Sequence, residues 1–72
     1  MKLRIFYALM ADDNSVLDVE KSYIDLNYKE PIGFDYSSEQ RKLQAILDRA
    51  ISSYRIANKV YVPVIQSWAR IN

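Results

Sequence analysis

The sequence predicts a single small α+β domain spanning residues 1–72, in which one long amphipathic helix packs on short strands to form two layers. Three observations predict this class: an apolar run at residues 3–10, a helical apolar pattern that follows Ser37, and a β-branched segment at residues 60–65. Half of the 72 residues are hydrophobic and 26% are charged, which is typical of a globular chain. The length allows one core.

Residues 3–10 are a strand candidate with apolar side chains on both faces. In a strand, Leu3 and Ile5 would point one way, and Phe6 and Ala8 the other. A strand that is apolar on both faces suits the interior of a sheet better than its edge. The Asp, Asn and Ser residues at positions 12–15 then predict a turn, because such side chains bond their own backbone.

Residues 16–26 fit either a helix or a strand. In the helical interpretation, Ser15 is the N-cap and Asp18 lies near the positive end of the helix dipole. In the alternative, the segment returns along the first strand as a β-hairpin with the acidic segment as its turn. The cap and the acidic first turn favour the helix slightly, and the hairpin stays open.

A second turn is predicted at residues 31–33, where Pro31 and Gly33 have the positions that turns favour. The flanking residues 26–30 and 34–36 would then form a small hairpin that contains Tyr28, Phe34 and Tyr36.

The helix at residues 38–57 is the element that the sequence specifies best. Ser37 and Gln40 have the spacing of a capping box, which satisfies two backbone donors at a helix start. Asn58 can adopt the left-handed conformation that ends a helix. Apolar residues follow at helical spacing and form one stripe, which consists of Leu43, Ile46, Leu47, Ala50, Ile51, Tyr54 and Ala57.

Residues 60–65 are a strand by their β-branched content, but two rules conflict there. Apolar residues on both faces indicate a buried central strand. Pro63 cannot donate to a sheet, so it indicates an edge or a bulge. An edge strand with both faces covered would satisfy both rules, and a second subunit could provide the cover.

With residues 16–26 helical, the element order is βαββαβ, which is that of a ferredoxin-like fold. The alternative is a ββαβ domain that completes its sheet by dimerisation. A chain of 72 residues buries little surface, and it has no cysteine for a disulfide, so oligomerisation is the remaining aid to stability.

The composition excludes several kinds of chemistry. Without His and Cys there is no Ser-His-Asp triad, thiol nucleophile or imidazole base, and one glycine cannot build a phosphate-binding loop. We therefore expect no enzymatic activity and no cofactor. The N-terminal segment resembles an export signal only weakly, no apolar run reaches the length of a membrane span, and we expect a cytoplasmic protein.

An acidic cluster at residues 12–18 has oxygen ligands that a hard cation would accept. The spacing of Asp12, Asp13 and Asp18 does not match an EF-hand loop, and no glycine follows where that loop requires one. We interpret the cluster as a solvated turn and predict no metal site.

The charges are divided unevenly along the chain. Residues 1–36 carry a net charge of −3 and residues 37–72 carry +4. Such a split can mark an interaction surface, but it more often means that the two halves attract each other within one fold. On the predicted helix, Ile56 stands among these charges on the outer face. The predicted partner-binding residues are Arg41, Lys42, Arg49, Arg55, Ile56 and Lys59, and the predicted oligomer interface consists of Val60, Val62, Val64 and Ile65.

These features predict a small non-enzymatic protein-interaction module, regulatory or inhibitory, that forms a homo-oligomer. The alternative is a nucleic-acid-binding domain that uses the basic face of the helix, since arginine and lysine bind phosphate and the six tyrosines could stack on bases. The identity of a protein partner does not follow from the residues. A stand-alone interaction protein of this size suits a phage or other mobile element.

Overall fold

A computed structural model describes residues 1–29, Gly33 and residues 35–72 of the chain. In this part of the chain, one helix packs on a five-stranded antiparallel sheet, which confirms the predicted small α+β class. The elements in chain order are β1 (Lys2–Met10), β2 (Val16–Leu17), β3 (Tyr23–Asn27), α1 (Tyr36–Ala50), β4 (Tyr54–Ile56) and β5 (Lys59–Arg70).

Strand β1 lies inside the sheet, as its two apolar faces predict. It pairs with β2 and β3 along one side and with β5 along the other, and β5 then pairs with β4. The register between β1 and β5 shifts between Phe6 and Tyr7, because Gln66 is an extra residue in β5 and forms a bulge.

The prediction of a helix at residues 16–26 is wrong, because this segment contributes β2 and β3. Leu17 lies opposite Leu9, and Ile24 lies opposite Ile5, so pairing with β1 packs these side chains against the core. Ser15, the expected N-cap, instead donates from its hydroxyl to Asp13 Oδ1 at 2.6 Å. The observed order β-β-β-α-β-β therefore differs from the ferredoxin-like order. Its sheet also has more strands than the ββαβ alternative.

The predicted long helix is confirmed as α1, but its predicted bounds of 38–57 are wrong at both ends. The N-cap is Asp35, whose carboxylate accepts the Ser37 N–H at 3.1 Å, so Ser37 lies inside the helix. The helix ends at Ala50, and the extended residue Ile51 donates its N–H to Leu47 O at 2.9 Å. The small hairpin predicted at residues 26–36 is not formed by its described residues, because Leu26 and Asn27 end β3 and Tyr36 begins α1. Positions 30–32 and 34 of that prediction lie outside the described residues.

Residues 54–56 form β4 and not the last turn of the helix. The two-residue loop Ala57–Asn58 returns the chain so that Ile56 lies opposite Lys59, and Tyr54 opposite Tyr61. Ala57 has φ 54°, in the left-handed region that glycine and asparagine favour. Tyr54, predicted to face the core, is exposed on this hairpin.

The core lies between α1 and one face of the sheet. Two helical leucines, Leu43 and Leu47, are completely buried against this face. Tyr36 at the start of the helix stacks on Trp68 of β5, with ring centroids 4.7 Å apart. The buried apolar residues are Leu3, Ile5, Tyr7, Leu9, Ala11, Tyr28, Leu43, Leu47, Tyr61 and Ile65.

The conflict at Pro63 is resolved by a helical side chain. Strand β4 pairs only with residues 59–61 of β5, so β5 has an open edge beyond Tyr61. There Gln44 takes the place of a neighbouring strand: its Nε2 donates to Pro63 O at 2.9 Å, and its Oε1 accepts the Ile65 N–H at 2.8 Å. Pro63 therefore lies at an edge of the sheet, and Gln44 of α1 satisfies the carbonyl of Pro63.

The described part of the chain contains no helix that is long and apolar enough to cross a membrane.

Candidate functional site

The sheet has a second face, which we call the open face, and it is apolar at its centre. Residues directly opposite each other in an antiparallel pair share a face, so Ala8 lies beside Val64 and Met10 beside Val62. Helix α1 packs on the other face, and no described element covers this one. The central residues of the open face are Phe6, Ala8, Met10, Val60, Val62 and Val64.

The composition of the open face is unusual for a surface. An antiparallel sheet that is covered on one side normally has polar side chains on the other. Here Phe6, Val60 and Val62 expose 37%, 41% and 44% of their surface, and Met10 and Val64 are half-buried. Contiguous exposed apolar side chains of this kind mark contact sites more often than ordinary surface.

The β3 end of the open face carries an aromatic and cationic group of side chains. The ring centroids of Phe6 and Tyr23 lie 6.1 Å apart, and the Arg4 guanidinium lies 4.3 Å from the Tyr23 ring centroid. Arg4 Nε also donates to Asp25 Oδ1 at 2.8 Å, and this hydrogen bond lowers the pKa of Asp25. Arg4 and Asp25 offset each other's charge, but Lys21 Nζ lies 4.9 Å from the same Tyr23 ring centroid, so this end keeps a positive charge. Tyrosine and arginine are residue types enriched at binding hot spots.

The predicted oligomer residues lie on both sides of the sheet. Val60, Val62 and Val64 belong to the open face. Ile65 belongs to the core side, where it is buried, so it is not available to a partner. The alternation of β5 separates Ile65 from the valines, because successive side chains of a strand point to opposite faces.

The predicted basic face of the helix does not exist as one surface. Arg41, Lys42 and Arg49 lie on α1, but Arg55 and Ile56 lie on β4, where the helix has already ended. Arg55 lies opposite Val60 and therefore belongs to the open face. Ile56 is exposed as expected, but on the strand hairpin and not on the helix.

Lys59, the last predicted contact residue, is bound within the protein. Its Nζ lies 2.8 Å from Asp13 Oδ2 and 3.2 Å from the Ser15 hydroxyl, and the hydrogen bond with Asp13 raises the pKa of Lys59. The same bond, together with those from Ser15, lowers the pKa of the Asp13 carboxyl far below its usual range. The ion pair between Lys59 and Asp13 thus ties the acidic β1–β2 turn to the β4–β5 hairpin. No group of three metal-ligating side chains occurs among residues 1–29, 33 and 35–72.

A basic cleft of about 500 Å³ lies on the helix side of the molecule. Lys42 and Arg49 come from α1, and Lys29 comes from the chain just after β3. Lys29 was not predicted as a contact residue, because thirteen positions separate it from Lys42 in the sequence. No periodic pattern indicates that such residues meet. The lining of this basic cleft consists of Tyr28, Lys29, Lys42, Ala45, Ile46 and Arg49.

Glu39 contacts two lining residues of this cleft, Tyr28 and Lys42, and is only 2% exposed. Burial alone would raise its pKa, but the Gly33 N–H, the Tyr28 hydroxyl at 3.1 Å and the Lys42 ammonium at 3.5 Å together lower it. The carboxylate therefore stays ionised at neutral pH. A Cβ at position 33 would lie 2.9 Å from Glu39 Oε1, which explains why a glycine fits there.

The fold and these surfaces define a small α+β domain with one helix, an antiparallel sheet and an uncovered apolar sheet face. Comparisons with models of protein families, with curated proteins and with solved structures find no match to the chain.

Proposed function

We propose that this chain is a small non-enzymatic protein-interaction module, regulatory or inhibitory, that works as a homodimer in which two open faces pack on each other. The observation that carries the proposal is the uncovered apolar face centred on Val60, Val62 and Phe6. Its partner is a second copy of this chain. A cytoplasmic location, expected from the sequence, is retained as part of the proposal.

The shape of the face supports a protein partner over a small ligand. Small-molecule sites are concave, whereas the open face is one side of a sheet in a slab that measures 40 × 23 × 16 Å. Two such sheets can pack face to face about 10 Å apart and bury the side chains of both. The assembly would have four layers, with the sheets inside and the helices outside.

The exposed area of the chain supports a protein interface. The chain exposes 5311 Å². A folded monomer of 8.4 kDa is expected to expose about 4600 Å². The excess of about 700 Å² is close to the roughly 800 Å² that each partner buries in a standard interface. A 72-residue chain with no cysteine gains more from such burial than a larger domain does.

The charge distribution supports a second copy as that partner. In a two-fold dimer, the same patch meets itself, so a strongly charged patch would repel its own image. The centre of the open face carries no charged residue. At the β3 end, Arg4 and Asp25 offset each other, and the remaining positive charges, Lys21 beside Tyr23 and Arg55 on β4, lie at the rim of the face.

Light scattering after size exclusion tests this proposal. We expect the wild-type chain to elute with twice the mass of 8.4 kDa. Val62→Lys places a charge at the centre of the open face and should give a monomer that is still folded by circular dichroism. Val19→Lys is the matched control, because Val19 is 40% exposed but lies between β2 and β3. It should leave the dimer intact.

A wild-type chain that is monomeric up to millimolar concentration would contradict the proposal. A dimer that survives both Val62→Lys and Val60→Lys would place the interface elsewhere and would contradict it equally.

A further inference from the structure

We infer that the basic cleft binds an acidic segment of a protein partner, with carboxylates on Lys29, Lys42 and Arg49 and an apolar side chain on the floor between them. The cleft lies on the helix side of the sheet, away from the open face. The inference therefore does not depend on the proposed dimer and can be tested without it.

The helical side of the cleft places two cations on one face with two apolar side chains between them. Lys42, Ala45, Ile46 and Arg49 follow at i, i+3, i+4 and i+7, which is the spacing of one helix face. At a rise of 1.5 Å per residue, the two charged residues are about 10 Å apart along the axis. Ala45 is exposed and short, so another chain can approach the helix backbone there.

Lys29 supplies a third cation from the opposite wall. It is exposed and reaches the cleft from the chain that leaves β3. Among the described residues, none that lines the cleft is acidic. Glu39 offsets part of the charge because it contacts Lys42, but it is buried and already holds Tyr28 and the Gly33 N–H. The net positive charge of the lining therefore comes mainly from Lys29 and Arg49, and this charge attracts anions.

A peptide fits the floor of the cleft better than a nucleic acid does. Single-stranded nucleic acid is held by stacking bases on exposed aromatic rings. Tyr28 is the aromatic residue that lines the cleft, and it is buried with its hydroxyl bonded to Glu39. The floor offers Ala45 and Ile46, which suit an aliphatic side chain. A volume of about 500 Å³ lies within the range of ligand pockets.

Fluorescence polarisation with defined probes tests the inference. The probe is a short fluorescein-labelled peptide in which glutamates flank one leucine. One comparison peptide has glutamines in place of the glutamates, and a labelled oligothymidylate of similar length represents nucleic acid. We expect the acidic peptide to bind at least tenfold more tightly than the glutamine peptide at low salt, and more tightly than the oligonucleotide.

Variants of the chain locate the site. The double change Lys42→Glu and Arg49→Glu should weaken binding of the acidic peptide at least tenfold. Arg41→Glu is the matched control, because Arg41 lies on the same helix but does not line the cleft. It should change the affinity less than twofold. Ala45→Trp, which fills the floor without changing the charge, should also weaken binding about tenfold.

Three results would overturn the inference: equal affinity for the acidic and glutamine peptides, tighter binding of the oligonucleotide, or a loss for Arg41→Glu as large as for the double change. If the double variant unfolds, amide shifts of the wild-type protein replace it. Peptide-induced shifts centred on Lys29, Ala45 and Arg49 support the site, and shifts elsewhere contradict it. The same titration on Val62→Lys keeps this result separate from dimerisation, since the affinity should not change there.

Discussion

Glu39 is a buried carboxylate that joins three separate parts of the chain. It accepts from the Tyr28 hydroxyl and the Gly33 N–H, and it contacts Lys42 one turn further along α1. A buried charge is stable only where hydrogen bonds and opposite charge offset its lost hydration. These partners meet that need, and they connect the end of β3 to the first turns of the helix.

The lowered pKa of Glu39 predicts an acid-sensitive contribution to stability. A carboxyl whose pKa is lower in the folded chain than in the unfolded chain stabilises above the unfolded value, and this contribution is lost as the pH falls through the folded value. The unfolded value is close to 4.5. Glu39→Gln should therefore lower the Tm at pH 7, and the difference from wild type should shrink between about pH 5 and pH 3.

Thermal unfolding by circular dichroism at several pH values measures this difference. Glu20→Gln is the control, because Glu20 is exposed between β2 and β3. Its Tm should follow wild type at every pH. A gap between Glu39→Gln and wild type that stays constant from pH 7 to pH 3 would show that the charge of Glu39 does not contribute.

At the scale of elements, Gln44 joins α1 to the open edge of β5. It replaces the strand that β4 is too short to provide, and its Nε2 also donates to Asp48 Oδ1 at 2.8 Å. Exposed strand edges invite pairing with other chains, and covering them is one way in which proteins avoid it. The helix thus positions the sheet edge through one side chain as well as through the buried Leu43 and Leu47.

Replacing Gln44 by Met keeps the length of the side chain but removes its amide. Pro63 O and the Ile65 N–H would lose their partner in a partly buried place. We expect the free energy of unfolding to fall by about 1–3 kcal/mol. Urea unfolding measures the change. Gln40→Met, one turn earlier on the same helix, is the control, since Gln40 makes no bond to β5 in the described part of the chain; an equal loss there would contradict the role of the amide.

At the scale of the whole molecule, the chain is a thin slab with one covered and one uncovered sheet face. If the open faces pair, folding and association are one equilibrium, and the Tm depends on protein concentration. With an unfolding enthalpy of about 100 kcal/mol for two 72-residue copies, a fiftyfold increase in concentration should raise the Tm by up to about 8 °C.

Scanning calorimetry over that concentration range checks the prediction. The Val62→Lys variant should show a Tm that does not change with concentration, while Val19→Lys should behave as wild type. A flat Tm for the wild-type chain would mean that the open face remains exposed in solution.

Particular residues show how far the sequence alone could lead. The apolar faces of residues 3–10 predicted an interior strand, and Leu43 and Leu47 on the helical stripe are fully buried. The same stripe continued in the sequence through Tyr54 and Ala57, and nothing local ended the helix at Ala50. Sequence reasoning also placed Val60, Val62 and Val64 together, but it could not separate them from Ile65 without knowing which face α1 covers.

The sequence by itself determined the class of the fold, the existence of the main helix and the interior strand, because periodicity and composition act over a few neighbouring residues. The tertiary structure decided where the helix ends, because Tyr54–Ile56 pairs with β5 instead of continuing the helix for about two further turns. It also decided that residues 16–26 contribute two strands and no helix, that Lys29 and Lys42 line one cleft, and that no described element covers one sheet face. These outcomes depend on contacts between distant parts of the chain, which no local pattern contains.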